Sequence, residues 1–149
     1  MNVSGTNVFT WTMIPLLLKS ADPRLLFVSG LSNISQVEMY YPPEPQPAGW
    51  PKQVAFENIG YRCSKVALNM LMLDWNAKLK ADGVKMWAVG PDMLSTGLGY
   101  LSDEEKKALG LYQKMGHASL GGQLIKTVAE GERDADVGKF VAKDGLLPW

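Results

Sequence analysis

Two short apolar segments constrain the fold of this chain more than any other feature of its sequence. They are "RLLFVSG" at residues 24–30 and "VKMWAVGP" at residues 84–91, each an almost continuous apolar run closed by glycine or proline. Runs of this length are typical of strands buried on both faces of a parallel sheet. The clearest helical pattern, residues 61–80, lies between them and is closed by Asp82-Gly83. This alternation of strand and helix predicts an α/β fold with a parallel sheet.

Weaker patterns predict the remaining elements. In chain order they are a helix over 2–20, a helix that follows Ser102 within 101–115, a helix over 118–130, and a last strand over 138–145. Pro15 lies inside the first of these helices, where its ring and missing N–H can bend the helix. Ser102, with acidic residues behind it, is an N-cap signal for the second. We expect residues 1–149 to form a single domain with one sizeable core.

A long irregular segment separates the first strand from the central helix. Within it, residues 36–60 form a proline-rich insert, in which "YYPPEPQPAGWPK" holds five prolines in thirteen residues. Proline at this density excludes both a helix and a central strand. We therefore predict a loop at 36–60, of a length that is usually functional or mobile inside a domain.

The charge pattern argues against nucleic-acid and membrane partners. Fifteen basic and fifteen acidic residues cancel, so the chain has no electrostatic footprint for nucleic acid. The longest apolar run near the start, residues 13–18, is far shorter than the roughly 20 residues of a membrane span. The start also lacks the basic region and cleavage site of a secretory signal. These features favour a cytoplasmic protein.

The chain has one cysteine, Cys63, and one histidine, His117. No internal disulfide is therefore possible, which fits a reducing compartment, and a His/Cys metal site lacks ligands. We expect no metal. Cys63 reads as a small buried thiol, and His117 reads as a loop or helix-cap residue.

The pair Tyr61 and Lys65 is the strongest candidate for chemistry. Their spacing of four residues on the predicted helix places both side chains on one face. A nearby ammonium favours the phenolate and lowers the pKa of the phenol from about 10. A shift of about three pKa units represents roughly 4 kcal/mol, and would let Tyr61 exchange a proton near neutral pH. The alternative is that Tyr61 is a helix-start residue whose ring merely packs.

The order of several motifs resembles the C-terminal part of a short-chain dehydrogenase/reductase. The matching stretches are "NVSGT", "LLFVSGLS", "YRCSKVALNML", "VKMWAVGPDMLSTGLG" and "VGKFVAKDGLLPW", and they cover nearly the whole chain. The proline-rich insert and the ending "DG…PW" resemble fungal members. The resemblance implies a truncated Rossmann-like, doubly wound parallel sheet of about three strands with flanking helices.

The resemblance also implies roles for individual residues. Tyr61 is similar to the general acid/base, and Lys65 to the partner that lowers its pKa and holds the nicotinamide ribose. Ser29, at the end of the first strand, is similar to the serine that binds the substrate carbonyl, with Ser32 as the fallback. Asn2 is similar to the asparagine that reaches the lysine through a water.

The stretch after the second strand is similar to a cofactor-binding segment. The residues implied to bind the cofactor are Tyr61, Lys65, Pro91, Leu94 and Thr96. The implied cofactor is NADP or NAD, with NADP slightly favoured. One position departs from the family pattern, because Asp92 follows Pro91 where the family usually has glycine.

No glycine-rich strand–turn–helix precedes Asn2, so the dinucleotide-binding half of the family's fold is expected to be missing. The first strand of the sheet would then have an open edge. The chain could be a fragment or shortened gene product, or a natural short protein that self-associates. The resemblance implies a homo-oligomer built through the helices that start near Asn2 and Tyr61.

These observations lead to two functional hypotheses. The first is an NAD(P)-dependent oxidoreductase that interconverts a carbonyl and an alcohol on a small molecule, with fungal secondary metabolism as the setting that the resemblance implies. The second is a non-redox remnant of the same fold. It would be a cofactor-independent proton-transfer enzyme, such as a cyclase, isomerase or dehydratase, or a non-catalytic subunit.

Overall fold

The computed structural model describes residues 1–30, 34–35, 44–52, 58–98, 102–108, 110 and 115–149. Its α-helices are α1 (Ser4–Leu17), α2 (Ile59–Leu79), α3 (Asp103–Ala108) and α4 (Ala118–Ala129). Its strands are β1 (Arg24–Val28), β2 (Lys85–Gly90), β3 (Leu94–Ser95), β4 (Gly116–His117), β5 (Phe140–Ala142) and β6 (Gly145–Leu147). Short 3-10 turns cover Lys80–Asp82 and Asp134–Asp136.

The main sheet confirms the predicted α/β fold class. Its strand order is β1–β2–β5–β6, in which β1, β2 and β5 run parallel and β6 pairs antiparallel with β5. The three parallel strands match the predicted number. The last predicted strand divides into a hairpin, β5 and β6, because the chain turns at Lys143 and Asp144. Gly145 begins β6 with a φ of 142°, which suits glycine. A second, two-stranded sheet of β3 and β4 was not predicted.

Helices cover both faces of the main sheet. On one face Leu68, Met72 and Trp75 of α2 pack with Phe27 and Met86 of the strands, and α1 lies beside them. On the other face the α4 side chains pack against the alternate strand residues; this cluster contains Trp87, Val89, Leu124, Val128 and Val141. Alternate side chains of β2 therefore pack into the two hydrophobic cores on opposite faces of the sheet. This is the doubly wound arrangement that the resemblance implies.

The predicted end of the central helix is correct, whereas those of α1 and α3 differ from the prediction. α2 is followed by a 3-10 turn. Gly83 ends this turn with a φ of 76°, a left-handed conformation that suits glycine. α1 ends at Leu17, soon after Pro15, rather than at residue 20. The helix predicted over 101–115 is too long, because α3 ends at Ala108 and Gly110 has a φ of 63°.

The two predicted strands differ in burial. β2 is buried from Met86 onward, as predicted. β1 is only partly buried, and Val28 at its end is 43% exposed. β1 is less buried because it is the edge strand of the main sheet in the described part of the chain. This open edge agrees with the sequence-based expectation.

α1 docks on α2 but leaves much of its apolar surface uncovered. Trp75 of α2 donates a hydrogen bond from Nε1 to Oδ1 of Asn7 at 3.0 Å, and its ring lies 6.0 Å from that of Trp11. Among α1 residues only Thr10 is buried. The apolar α1 side chains that stay exposed by more than half are Val8, Phe9, Trp11 and Leu16. None of the helices in the described ranges has the length and apolarity that crossing a bilayer would require.

Candidate active site at the carboxyl end of the sheet

Tyr61 and Lys65 share one face of the first turns of α2, as their spacing predicts. The Nζ of Lys65 lies 5.7 Å from the centroid of the Tyr61 ring. The same Nζ donates a hydrogen bond to the main-chain oxygen of Val28 at 2.8 Å. The pair therefore lies at the carboxyl end of β1, which is where open α/β sheets bind ligands.

The electrostatics of the pair differ from the prediction. Burial raises the pKa of the Tyr61 hydroxyl above its ordinary value, and burial lowers the pKa of the Lys65 ammonium. The predicted lowering of the pKa of Tyr61 by Lys65 is therefore wrong for this arrangement. The ammonium is hydrogen-bonded to Val28 rather than to the phenol, so desolvation of the hydroxyl dominates. Tyr61 is thus held in its protonated form at neutral pH.

Ser29 lies beside the pair but its hydroxyl is engaged elsewhere. The residue is 4% exposed, and its N–H donates to the oxygen of Val89 at 2.8 Å, which extends the pairing of β1 with β2. Its Oγ donates a long hydrogen bond, 3.4 Å, to the main-chain oxygen of Lys65. To bind a substrate carbonyl, this hydroxyl would have to give up its hydrogen bond to the main-chain oxygen of Lys65. Ser32, the fallback serine, lies outside the described residues.

Asn2 is brought to the same turn of α2. Its Nδ2 donates to the Oγ of Ser64 at 3.0 Å, and that Oγ donates in turn to the main-chain oxygen of Tyr61 at 2.7 Å. The contact of Asn2 is therefore with the residue preceding Lys65. Ser64 was missed by the sequence analysis, although a serine inside "YRCSK" is a recognisable hydrogen-bonding signal.

Gly30 was also missed. It is buried just beyond the end of β1, and the position that a Cβ would occupy on Gly30 is 2.9 Å from the Oη of Tyr61. The backbone of Gly30 is therefore the immediate neighbour of the tyrosine hydroxyl. The "Ser-Gly" that closes the first apolar run is the only sequence signal for it.

The predicted cofactor segment follows β2, the strand next to β1. Leu94 is half-buried in β3, and its side chain packs close to Gly121 on α4, as does that of Pro91. Thr96 is exposed; its Oγ1 accepts from the N–H of Leu98 at 3.3 Å. The structure thus places this segment and the Tyr61 pair at the carboxyl ends of neighbouring parallel strands.

The turn after Pro91 keeps the conformation that glycine would favour. Asp92 has a φ of 60°, and among the described residues it is the one non-glycine residue with positive φ. A side chain is disfavoured there, although aspartate tolerates this region better than most residues. The departure from the family pattern therefore changes the charge of the turn and places a side chain in a conformation that favours glycine.

Two lesser predictions have opposite outcomes. His117 caps α4, because its Nδ1 accepts from the N–H of Ser119 at 3.2 Å, so the helix-cap interpretation is confirmed. Cys63 is exposed, so the predicted buried thiol is wrong. Within the described ranges, no group of three or more His, Cys, Asp or Glu side chains could hold a metal ion.

The doubly wound, mainly parallel sheet, with a tyrosine and a lysine at the carboxyl ends of its strands, defines a Rossmann-like α/β protein. No protein-family model matches the chain. The chain is 46% identical over 148 residues to the short-chain dehydrogenase/reductase tropE of Talaromyces stipitatus, a match covering 97% of this chain and 54% of that protein. It is 40% identical over 160 residues to the short-chain dehydrogenase/reductase eupG of a Phoma species, a match covering all of this chain and 56% of that protein.

A solved structure supports the fold. The NADPH-bound carbonyl reductase from chicken fatty liver superimposes with a TM-score of 0.70 at 19% identity, over 99% of this chain and 52% of that one. The chain is a partial short-chain dehydrogenase/reductase, as its motifs predict. It spans about half the length of the curated relatives it matches.

Proposed function

We propose that this chain is the catalytic part of an NADP-dependent oxidoreductase that interconverts a carbonyl and an alcohol on a small molecule. The observation that carries the proposal is the position of Tyr61 and Lys65, whose functional groups meet the carboxyl end of β1. Two features add support: both curated relatives are named short-chain dehydrogenase/reductases, and the superimposed chicken enzyme is an NADPH-bound carbonyl reductase.

The donor groups of the site fit the nicotinamide end of such a cofactor. Lys65 offers an ammonium and Tyr61 a hydroxyl at the strand edge, and both suit the hydroxyls of a ribose. Pro91, Leu94 and Thr96 line the neighbouring strand end and would contact the nicotinamide and its adjacent phosphates. Bound NADPH would supply the hydride that reduces the carbonyl carbon.

Tyr61 would supply the proton. Its raised pKa keeps the hydroxyl protonated at neutral pH, which is the form needed for carbonyl reduction. During carbonyl reduction the substrate oxygen would gain negative charge and would take the proton from Oη of Tyr61. The phenolate left behind is stabilised by the positive charge of Lys65. In alcohol oxidation the same proton returns to Tyr61.

Ser29 and Asn2 would assist this transfer. Ser29 would turn its hydroxyl from the Lys65 carbonyl, where the hydrogen bond is long at 3.4 Å, toward the substrate carbonyl. Ser32 is the alternative donor. Asn2 would hold the first turn of α2 in place through Ser64, and so orient Tyr61.

We also propose a setting and an organisation for the protein. The named relatives come from Talaromyces and Phoma, which supports a role in fungal secondary metabolism. The proposed site of action is cytoplasmic. We propose that residues 1–149 form one domain; the predicted loop at 36–60 lies partly outside the described residues.

The exposed surface of α1 supports self-association. A groove of about 380 Å³ lies between α1 and the edge strand β1; it is lined by Phe9, Thr10, Met13, Leu16, Leu17, Ser20 and Leu25. Covering such apolar surface is favourable at roughly 25 cal/mol per Å². We propose a homo-oligomer in which α1, and the helix that carries Tyr61, contact a second copy.

A non-redox protein on the same fold is the second candidate. The observation that favours it is the hydroxyl of Ser29, which donates to the main-chain oxygen of Lys65 and is not free for a substrate carbonyl. It would be a proton-transfer enzyme without a cofactor, or a non-catalytic subunit.

Two measurements on the purified chain separate these candidates. Thermal unfolding with saturating NADPH should show an increase in Tm, and a panel of small ketones should be reduced with loss of NADPH absorbance. The Tyr61→Phe variant should keep the NADPH-induced increase in Tm and lose turnover. No change in Tm and no turnover in the wild type would overturn the redox proposal and leave the second candidate.

A further inference from the structure

Gly30 packs directly against the hydroxyl of Tyr61. An added Cβ on Gly30 would lie 2.9 Å from Oη and 3.5 Å from both Cε1 and Cζ of the same ring. Real Cβ atoms essentially never come within 3.0 Å of another heavy atom, so any side chain at this position would move the phenol. The bare backbone of Gly30 therefore permits the observed position of Oη.

The backbone conformation does not account for glycine at this position. The glycines with positive φ are Gly49, Gly83, Gly110, Gly131, Gly138 and Gly145, and Gly30 is not among them. An L-residue could therefore adopt the φ of Gly30 without strain. Within the described structure, the approach of Tyr61 is the feature that requires the absence of a side chain.

We propose that Gly30 is a positioning residue that sets where the Tyr61 hydroxyl lies at the end of β1. The effect of Gly30 on catalysis rests on the proposed function, whereas its effect on the position of the hydroxyl does not. The placement of the hydroxyl is a property of the fold and can be measured by itself. Even a small displacement of Oη would move the proton donor away from a bound carbonyl.

A side chain at Gly30 should change the site without unfolding the protein. The colliding atom, Oη, is the far end of a side chain that is 39% exposed, so it can swing outward. Gly90 shows the opposite case, because a Cβ there would lie 2.8 Å from the ring of Phe140, which is 1% exposed and has no room to move.

The chain offers a matched control. Gly60 lies in the first turn of α2, next to Tyr61, and apart from its chain neighbours and its own helix backbone nothing lies within 4 Å of its added Cβ. Gly60→Ala adds the same methyl group one residue from the tyrosine without touching its hydroxyl. It should leave the environment of the hydroxyl unchanged.

The test uses the whole purified chain labelled with tyrosine carrying ¹³C at Cζ, which gives one NMR signal for each of the five tyrosines. The Tyr61 signal is assigned from its loss in Tyr61→Phe. In Gly30→Ala this signal should shift, and it should titrate at a lower pH than in the wild type, because the displaced hydroxyl is better solvated. Gly60→Ala should match the wild type, and Tm of Gly30→Ala should stay within about 2 °C.

Activity gives a second readout. In Gly30→Ala the kcat for carbonyl reduction should fall about 10- to 100-fold, with a smaller change in KM. In a Tyr61→Phe background the same substitution should add no further loss, because the hydroxyl that it displaces is gone.

Unaltered NMR signal and titration of Tyr61 in Gly30→Ala would overturn the proposal. If Gly30→Ala unfolds, the double variant with Tyr61→Phe decides: recovery of Tm shows that the hydroxyl was the obstacle, and continued unfolding refutes the proposal. A wild type without turnover would remove the redox function but leave the NMR result in force.

Discussion

The ammonium of Lys65 donates a hydrogen bond to the main-chain oxygen of Val28 at 2.8 Å, which ties the first turns of α2 to the carboxyl end of β1. This contact joins residues 37 positions apart in the chain. It places a positive charge beside the phenol of Tyr61 without a direct bond between the two groups. The position of the charge, rather than a shifted pKa of the free phenol, is what the fold provides.

Replacing Lys65 by methionine should affect turnover far more than stability. The variant loses one hydrogen bond, worth about 1 kcal/mol, but also removes the cost of burying a charge, so the free energy of unfolding should change by about 1 kcal/mol or less. The kcat for carbonyl reduction should fall at least about 100-fold, because the phenolate loses its counter-charge. Urea denaturation and steady-state kinetics measure the two effects.

The control is Lys78→Met on the same helix, where the ammonium forms a surface pair with Asp74 at 2.5 Å. Its kcat should equal that of the wild type. Equal kcat values for the Lys65 variant and the wild type would contradict the proposed role.

The protonation of Tyr61 should appear in the alkaline stability of the protein. Its pKa is raised in the folded state, so its contribution to stability is complete below the unfolded value near 10 and is lost as pH rises through the folded value. Tyr61→Phe should therefore lose less stability than the wild type as pH rises above about 10. Thermal unfolding across this range tests the prediction, and parallel curves for the two proteins would refute it.

Asp92 holds a φ of 60°, so replacing it by glycine should stabilise the protein. Relief of left-handed strain, about 1–2 kcal/mol, is partly offset by the greater entropy of glycine in the unfolded chain, about 0.5–1 kcal/mol. A net gain of about 0.5 kcal/mol is expected, measured by urea denaturation. Asp92→Ala is the control, because it removes the charge but keeps a side chain in the left-handed conformation. If Asp92→Ala raises the free energy of unfolding as much as Asp92→Gly does, the charge and not the strain is the cause.

An ion-pair cluster at the opposite end of the strands should govern acid stability. Asp134 accepts from Lys85 at 2.6 Å and from Arg24 at 2.5 Å, and both cations also pair with Asp22. The hydrogen bonds from Arg24 and then Lys85 hold the pKa of Asp134 well below its usual range. Its contribution is therefore present above the unfolded pKa near 4 and is lost as pH falls below it.

Asp134→Asn should accordingly unfold with a weaker dependence on pH between about 5 and 2 than the wild type does. Circular dichroism during acid titration measures this. Asp144→Asn is a matched control, because Asp144 pairs only at 3.3 Å with Lys143 and its side chain is 82% exposed. If both variants behave alike, the cluster does not govern acid stability.

The proposed oligomer makes a prediction for α1. Leu16 is 59% exposed and lines the apolar groove, so Leu16→Glu places a charge where a second copy is proposed to bind. Light scattering with size-exclusion chromatography should show dissociation of the variant. Thr12→Glu adds the same charge to α1 outside the groove and should leave the assembly intact. An unchanged mass for Leu16→Glu would contradict the proposed interface.

Local patterns were enough to predict most of the scaffold. The apolar runs, the helical repeat at 61–80 and the glycine at 83 depend on residues a few positions apart, and β2, α2 and the turn between them lie close to where the pattern placed them. The shared face of Tyr61 and Lys65 follows from the helical repeat in the same way. The end of α3 was missed because its acidic and basic residues continue a helical pattern up to a glycine whose positive φ the sequence does not reveal.

The chemistry of the site depended on contacts between distant residues. Lys65 meets Val28, Asn2 meets Ser64 across 62 positions, and Gly30 meets the hydroxyl of Tyr61. Desolvation and hydrogen-bond partners are properties of packed surfaces, so the direction of the Tyr61 pKa reverses what the spacing alone suggested. Sequence periodicity thus established the elements and the reactive pair, whereas packing established the environment in which that pair exchanges a proton.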